Sequence, residues 1–147
     1  VIEDFNTDQK TLQKKISIIF KNTSKEKVAP IFGMESRIEQ VIANVLENAV
    51  SFSPKNEKVE LLISQKDKKV QIRVKDNGPG FDEKNLSKIF ERFYSDRPDA
   101  SSINHSGLGL NIVKNIIDSH KGSIEAYNFS KNSKSGAVID IKLPLRN

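Results

Sequence analysis

The apolar positions of this chain change period several times, and each change marks an element. Over Glu35–Phe52, Ile38, Val41, Ile42, Val45, Leu46 and Ala49 recur every three or four residues. That spacing lays them on one face of a helix, which Pro54 must end. Upstream, Lys15–Asn22 reads K-I-S-I-I-F-K-N, with Ile16, Ile18 and Phe20 alternating as a strand does, and Val28–Met34 reads as a short extended piece broken by Pro30. Downstream the period falls to two. Val59, Leu61 and Ile63 alternate within Glu57–Gln65, and Val70, Ile72 and Val74 within Lys69–Lys75, predicting two antiparallel strands around a turn at Lys66–Lys68. Asp82–Phe90 predicts a short helix with Asp82 as its N-cap. Gly107–His120 predicts a longer one on Leu110, Val113, Ile116 and Ile117, stopped by Gly122. Ser123–Phe129 and Ala137–Leu143 alternate as two last strands. The order β, α, β, β, α, β, β predicts the α+β class: a two-layer α/β sandwich, with a mixed sheet and helices on one face.

Composition narrows the classes. A chain of 147 residues, 36% hydrophobic and 29% charged, suits one domain with a real core. With no cysteine, disulfide frameworks and thiolate chemistry are excluded, and His105 and His120 lack the partners of a zinc site. There is no apolar run long enough to cross a bilayer and no secretory leader pattern. The chain starts at Val1 rather than Met, so it is expected to be a piece of something longer. Residues 1–15 are polar and weakly periodic, as expected of a linker or the end of a preceding element, leaving 16–147 as the domain. The net charge of +5 comes from lysines spread along the chain without interleaved aromatics. That is a solvated surface, so neither nucleic acid nor a membrane is expected to contact this domain.

Three polar features interrupt the scaffold. Asp76-Asn77-Gly78-Pro79-Gly80-Phe81 follows a strand directly, placing a carboxylate, a pure acceptor suited to an exocyclic amine, at a turn where backbone can approach a ligand. N-G and P-G are also ordinary turn signals, and by itself the motif reads first as a tight turn. Asn44 and Asn48 sit one helical turn apart beside the apolar stripe, either as an oxygen ligand for magnesium or as the stripe's polar edge. Ser95–Ser106 is a long polar loop, and His105-Ser106-Gly107-Leu108-Gly109-Leu110 runs from it into a helix. Amides at a helix start form a phosphate site, although the segment has neither a P-loop lysine nor a G-x-G-x-x-G register, and a flexible loop with a helix cap fits equally.

Taken in order, these segments resemble the GHKL ATP-binding superfamily and, within it, the catalytic domain of histidine kinases. The resemblance runs from Ile16 to Leu145. Arg37–Pro54 is similar to the family's N box, Asp76–Phe81 to its first glycine box, Ile89–Tyr94 to its F box and Ser106–Val113 to its second glycine box. It implies the Bergerat-type ATP-binding fold, with ATP and Mg2+ as cofactors. It also implies that Asn44 and Asn48 hold the catalytic positions of the N box, with Asn48 coordinating magnesium, and that Asp76 binds the adenine amine. Gly78 and Gly80 let the base approach, and Phe52, Ile89 and Phe93 help to line its slot. Arg92 and Arg97 are candidates for phosphate contacts. Ser95–Ser106 becomes the ATP lid, and Ser106, Gly107, Leu108, Gly109 and Leu110 admit the phosphates.

Members of this superfamily that hydrolyse ATP carry a Glu where this chain has Asn44, and an amide has no basic site with which to activate water. The resemblance therefore implies a two-component sensor kinase domain that transfers the γ-phosphoryl to a histidine on a separate dimerisation domain of the same parent, with a downstream response regulator. The alternatives are a nucleotide-binding regulatory module and a GHKL ATPase without kinase activity. Such a domain is expected to be cytoplasmic, alone or as the inner part of a membrane-bound sensor. His120 reads as a helix-end residue facing the dipole, not as the phospho-acceptor. Two positions depart from the family: Ser51 stands where a lysine is common, and His105 where the second glycine box has its first glycine.

Overall fold

The computed structural model describes residues 17–22, 35–92 and 109–144. The piece expected at Val28–Met34 lies outside them. Five described strands form one sheet: β1 (Ser17–Asn22), β2 (Lys58–Lys66), β3 (Lys69–Lys75), β4 (Ser123–Lys131) and β5 (Lys134–Pro144), in the spatial order β1-β2-β3-β5-β4. β1 runs parallel to β2 and the other neighbours are antiparallel, so the sheet is mixed as expected. Two described α-helices accompany it, α1 (Glu35–Phe52) and α2 (Gly109–Ser119).

The register explains why the helices share one face. Leu61 faces Val74, Val74 faces Ile139 and Ile139 faces Ala126; in the next row lie Ile63, Ile72, Ile141 and Ile124. These rows pack against Val41, Val45, Leu46 and Ala49 of α1 and Val113, Ile116 and Ile117 of α2 in one core. Each fully buried aliphatic side chain contributes about 1.5–3 kcal/mol. A one-residue slip of any strand would turn its apolar set to the other face, so the core fixes the register. On the opposite face Asp140, only 5% exposed, accepts Gln71 Nε2 at 2.8 Å and Arg73 Nη2 at 3.0 Å. The hydrogen bond to Asp140 is the main reason that the Arg73 guanidinium is held above its usual value.

Both hairpins close on two residues with left-handed backbone, Asp67 and Lys68 (φ 53° and 61°) and Asn132 and Ser133 (φ 53° and 64°). That is the pairing of a type I′ turn, whose twist suits the flanking strands. The last hairpin therefore runs further than expected, to Lys131 and from Lys134, since its polar tip carries no apolar alternation to betray the ladder.

Two expectations need correction. The helix predicted over Asp82–Phe90 is one 3-10 turn at Glu83–Asn85; Asp82 does cap it, accepting Lys84 N–H at 3.0 Å. The bonds from Asn85 to Asp82, Leu86 to Glu83 and Lys88 to Asn85 all span three residues, so no α-helical turn closes. The left-handed residue that ends α2 is Lys121 (φ 58°), not Gly122. Gly122 N–H reaches Ile117 O at 2.9 Å and Lys121 N–H reaches Asp118 O at 3.0 Å, a Schellman closure. Gly122 is required for space: a Cβ there would come 2.5 Å from Lys142 O. His120 does meet the helix end, with Nδ1 2.7 Å from Ile116 O.

Candidate functional site

β3 ends at Lys75, and the chain then enters the six-residue segment Asp76–Phe81 beneath the last turn of α1. Asp76 is 3% exposed. Its Oδ1 accepts Gly78 N–H at 2.9 Å and Ala137 N–H at 3.0 Å, while its own N–H donates to Ala137 O at 3.0 Å. Burial pushes the Asp76 carboxyl above the ordinary aspartate value, and the two backbone donors only partly offset this. Both donors fall on one oxygen. The second can take a further N–H, and a buried carboxylate gains much from one.

The glycines fit this geometry. A Cβ on Gly78 would overlap the Phe52 carbonyl oxygen, and Gly80 has φ +81°. The backbone thus passes close under α1, and the Phe81 ring meets Phe52 edge-on, centroids 5.9 Å apart. Asn77 Nδ2 donates to Lys58 O at 2.7 Å and Ser135 Oγ to Gly78 O at 3.3 Å, tying the loop to β2 and β5.

On α1, Asn44 and Asn48 are both half-buried, one helical turn apart. Asn44 Nδ2 approaches the Gly109 carbonyl at 3.4 Å, which brings the N box helix to the first residue of α2. Gly109 is exposed, with no described residue within 4 Å of where a Cβ would stand, and Leu110 packs partly on the core. Phe52 is half-buried beside the loop, whereas Ile89 is 1% exposed and sits within the core. Arg92 is exposed. Phe93, Arg97, Ser106, Gly107, Leu108 and the Ser95–Ser106 loop lie outside the described residues. Among the described residues, then, Phe52, Asp76, Gly78 and Gly80 come together in one place, and Asn44 and Gly109 in another along the same helix.

Sequence reasoning missed several residues that hold this loop: Asn77 through its side chain, Asn128, Ser135 and Gly136. The available signal was Asn128, a poor strand former inside the alternation of Ser123–Phe129. Among the described residues no group of three or more His, Cys, Asp or Glu could hold a metal ion. No described helix is long and apolar enough to cross a membrane.

The profile of the family described as histidine kinase-, DNA gyrase B-, and HSP90-like ATPase matches residues 33–147. The chain is 39% identical over 118 residues to the sensor protein ChvG of Rhizobium meliloti, an alignment covering 78% of this chain and 20% of that protein. It is 34% identical over 116 residues to the signal transduction histidine-protein kinase BaeS of Escherichia coli, covering 78% of this chain and 24% of that one. The chain thus spans about a quarter or less of the length of these relatives. Among solved structures, the catalytic domain of histidine kinase ThkA aligns over 98% of this chain and 90% of its own, at 25% identity and a TM-score of 0.78. Full-length ShkA in complex with AMPPNP aligns over 94% of this chain and 27% of its own, at 27% identity and 0.76.

Proposed function

Since this chain belongs to the histidine kinase-, DNA gyrase B- and HSP90-like ATPase family, we propose that it binds Mg-ATP and delivers the γ-phosphoryl to a histidine on a dimerisation domain of its parent protein. The observation that carries this reading is the Asp76 carboxylate, buried at the strand end with one oxygen already bonded to two backbone N–H groups. The other oxygen takes the adenine amine beside Phe52, and Gly78 and Gly80 keep the pocket backbone tight against Phe52 O and Asn128, where no Cβ fits. Asn48 supplies an amide oxygen to magnesium, a hard cation that accepts one or two protein ligands and takes the rest from phosphates and water. Held there, magnesium would supply positive charge to the phosphate groups.

Transfer is favoured over hydrolysis by Asn44. Its amide cannot take a proton from water, and its Nδ2 is directed at the Gly109 carbonyl. Gly109 and Leu110 open α2, where backbone N–H groups and the helix dipole favour phosphate oxygens. ShkA, which shares the fold, is known with AMPPNP bound, ChvG is named a sensor protein and BaeS a signal transduction histidine-protein kinase; these support a nucleotide here and a two-component setting. The acceptor histidine comes from elsewhere in the parent, and a response regulator takes the phosphoryl group onward. In this setting the domain works in the cytoplasm.

The test is phosphoryl transfer from γ-labelled ATP, with magnesium, to the parent's histidine-bearing domain. Label that is lost in acid and kept in base is expected on that domain. An ATP-binding chain that never labels an intact acceptor would reduce the function to nucleotide-dependent regulation.

A further inference from the structure

Asn128 lies on β4 opposite Ala137, on the helix-covered face of the sheet, two residues beyond Ala126. An amide on that face needs polar partners, and Asn128 finds both on one residue 47 positions away. Its Oδ1 accepts Phe81 N–H at 2.8 Å and its Nδ2 donates to Phe81 O at 2.7 Å. This is a two-point bond like a rung of a β-ladder, with a side chain in place of one strand. It fixes the loop where the backbone is least ordinary: Gly80 has φ +81°, and a Cβ there would stand 2.7 Å from Asn128 Oδ1. On its other side the Phe81 ring, 6% exposed, packs against Phe52.

The two ends of the Asp76–Phe81 segment are thus held by cross-strand neighbours. Ala137 on β5 holds Asp76 through its N–H and C=O, and Asn128 on β4 holds Phe81. Between these anchors run the glycines that the base must approach. With the second anchor gone, Phe81 keeps its apolar contacts but loses both partners for buried backbone groups, and the loop can shift relative to the Asp76 carboxylate. Adenine needs both at once, the Asp76 carboxylate and the Gly78–Phe81 backbone at a fixed distance from it.

We propose that Asn128 is a positioning residue of the nucleotide site, which sets the Gly80–Phe81 backbone in register with Asp76. It acts through Phe81 without touching the nucleotide. The proposal rests on reading Asp76–Phe81 as the adenine pocket. A purely structural Asn128 would contribute stability alone; a positioning Asn128 governs affinity in proportion to how well its donor and acceptor are reproduced.

The experiment titrates the full chain with ADP for wild type, Asn128→Ala and Asn128→Asp at about pH 7.5 and about pH 5. Each variant is compared with wild type at the same pH, because Asp76 titrates too. Asn128→Ala is expected to weaken ADP binding about tenfold at both pH values. Asn128→Asp is expected to match that loss at the higher pH, where a carboxylate faces the Phe81 carbonyl. It should recover to within about threefold of wild type at the lower pH: a half-buried carboxylate facing the Phe81 carbonyl holds its proton to higher pH than a free aspartate, and the protonated carboxyl restores one donor and one acceptor. If Asn128→Ala does not fold, the pH dependence of Asn128→Asp decides alone. Wild-type affinity in Asn128→Ala, or an Asn128→Asp deficit that ignores pH, overturns the proposal. If wild type itself fails to bind ADP, the nucleotide reading falls and the proposal with it. Tight wild-type binding beside an unaffected Asn128→Ala removes the proposal only.

Discussion

Gly136 is where adding one methyl group should do most damage. It sits buried on β5 opposite Phe129. A Cβ there would fall on the Asp76 carbonyl oxygen and lie 2.6 Å from Phe129 Cε1. The ring can swing aside, although Lys75 Nζ caps it at 4.0 Å. The Asp76 carbonyl cannot move unless the end of β3 moves with it. That displacement breaks the mutual contact of Asp76 and Ala137, which consists of Asp76 N–H to Ala137 O and Ala137 N–H to Asp76 Oδ1, each 3.0 Å. The first is a neutral bond of about 1 kcal/mol and the second involves a charge, about 1.5–3 kcal/mol. Overpacking itself costs about 1–3 kcal/mol. These terms overlap, because shifting the strand relieves the clash by breaking the bonds, so Gly136→Ala should lose about 3 kcal/mol. Urea unfolding measures that loss, and ADP titration of the folded fraction should show at least a tenfold weaker complex. Stability within about 0.5 kcal/mol of wild type, with unchanged ADP affinity, would refute the claim that close backbone contact at Gly136 sets Asp76.

Further outcomes follow from the same geometry. The folded-state value of Asp76 is raised by burial, so its stabilising contribution is complete below the ordinary aspartate value and is lost as pH rises through the folded value. Binding an amine donor needs the ionised form, so ADP affinity should fall as pH drops through that folded value; Asp76→Asn should erase both dependences, checked by unfolding and titration across the acid range. Lys121→Gly should raise stability by about 0.5–1 kcal/mol, because a lysine at φ 58° bears a strain that glycine does not; a lower melting temperature would contradict this. Asp140→Ala should cost about 2 kcal/mol through the lost Gln71 and Arg73 bonds, a figure kept low because the Arg73 side chain is 37% exposed. The change lies on the far face of the sheet, so ADP affinity should stay as in wild type.

Much of this architecture was legible because it obeys one period at a time. α1 and β3 begin and end where the apolar spacing places them. Alternation also marks which residues of each strand face the helices, though not which of them pair across strands. Asp82–Phe90 misled because Leu86, Ile89 and Phe90 have helical spacing while the backbone bonds there span only three residues. Spacing reports which side chains share a face, not which hydrogen bond closes the turn. The hairpin tip at Lys131–Lys134 was hidden for the opposite reason: it is wholly exposed, so no burial pattern marks it. Asp76 stood out as a residue type but not as a buried one, because its burial depends on strands 61 residues apart meeting at Ala137. Asn128 and Gly136 were missed on the same ground. Their roles lie in contacts with Phe81 and Asp76, which no local pattern encodes.

Everything proposed for this site depends on Asp76 receiving adenine. Calorimetric titration of wild type and Asp76→Ala with ADP and with GDP, in magnesium, tests it most directly. Wild type is expected to bind ADP and reject GDP, whose ring offers a carbonyl where adenine offers the amine, and Asp76→Ala to lose ADP binding while keeping a cooperative unfolding transition. A folded Asp76→Ala that binds ADP as wild type does would contradict that role.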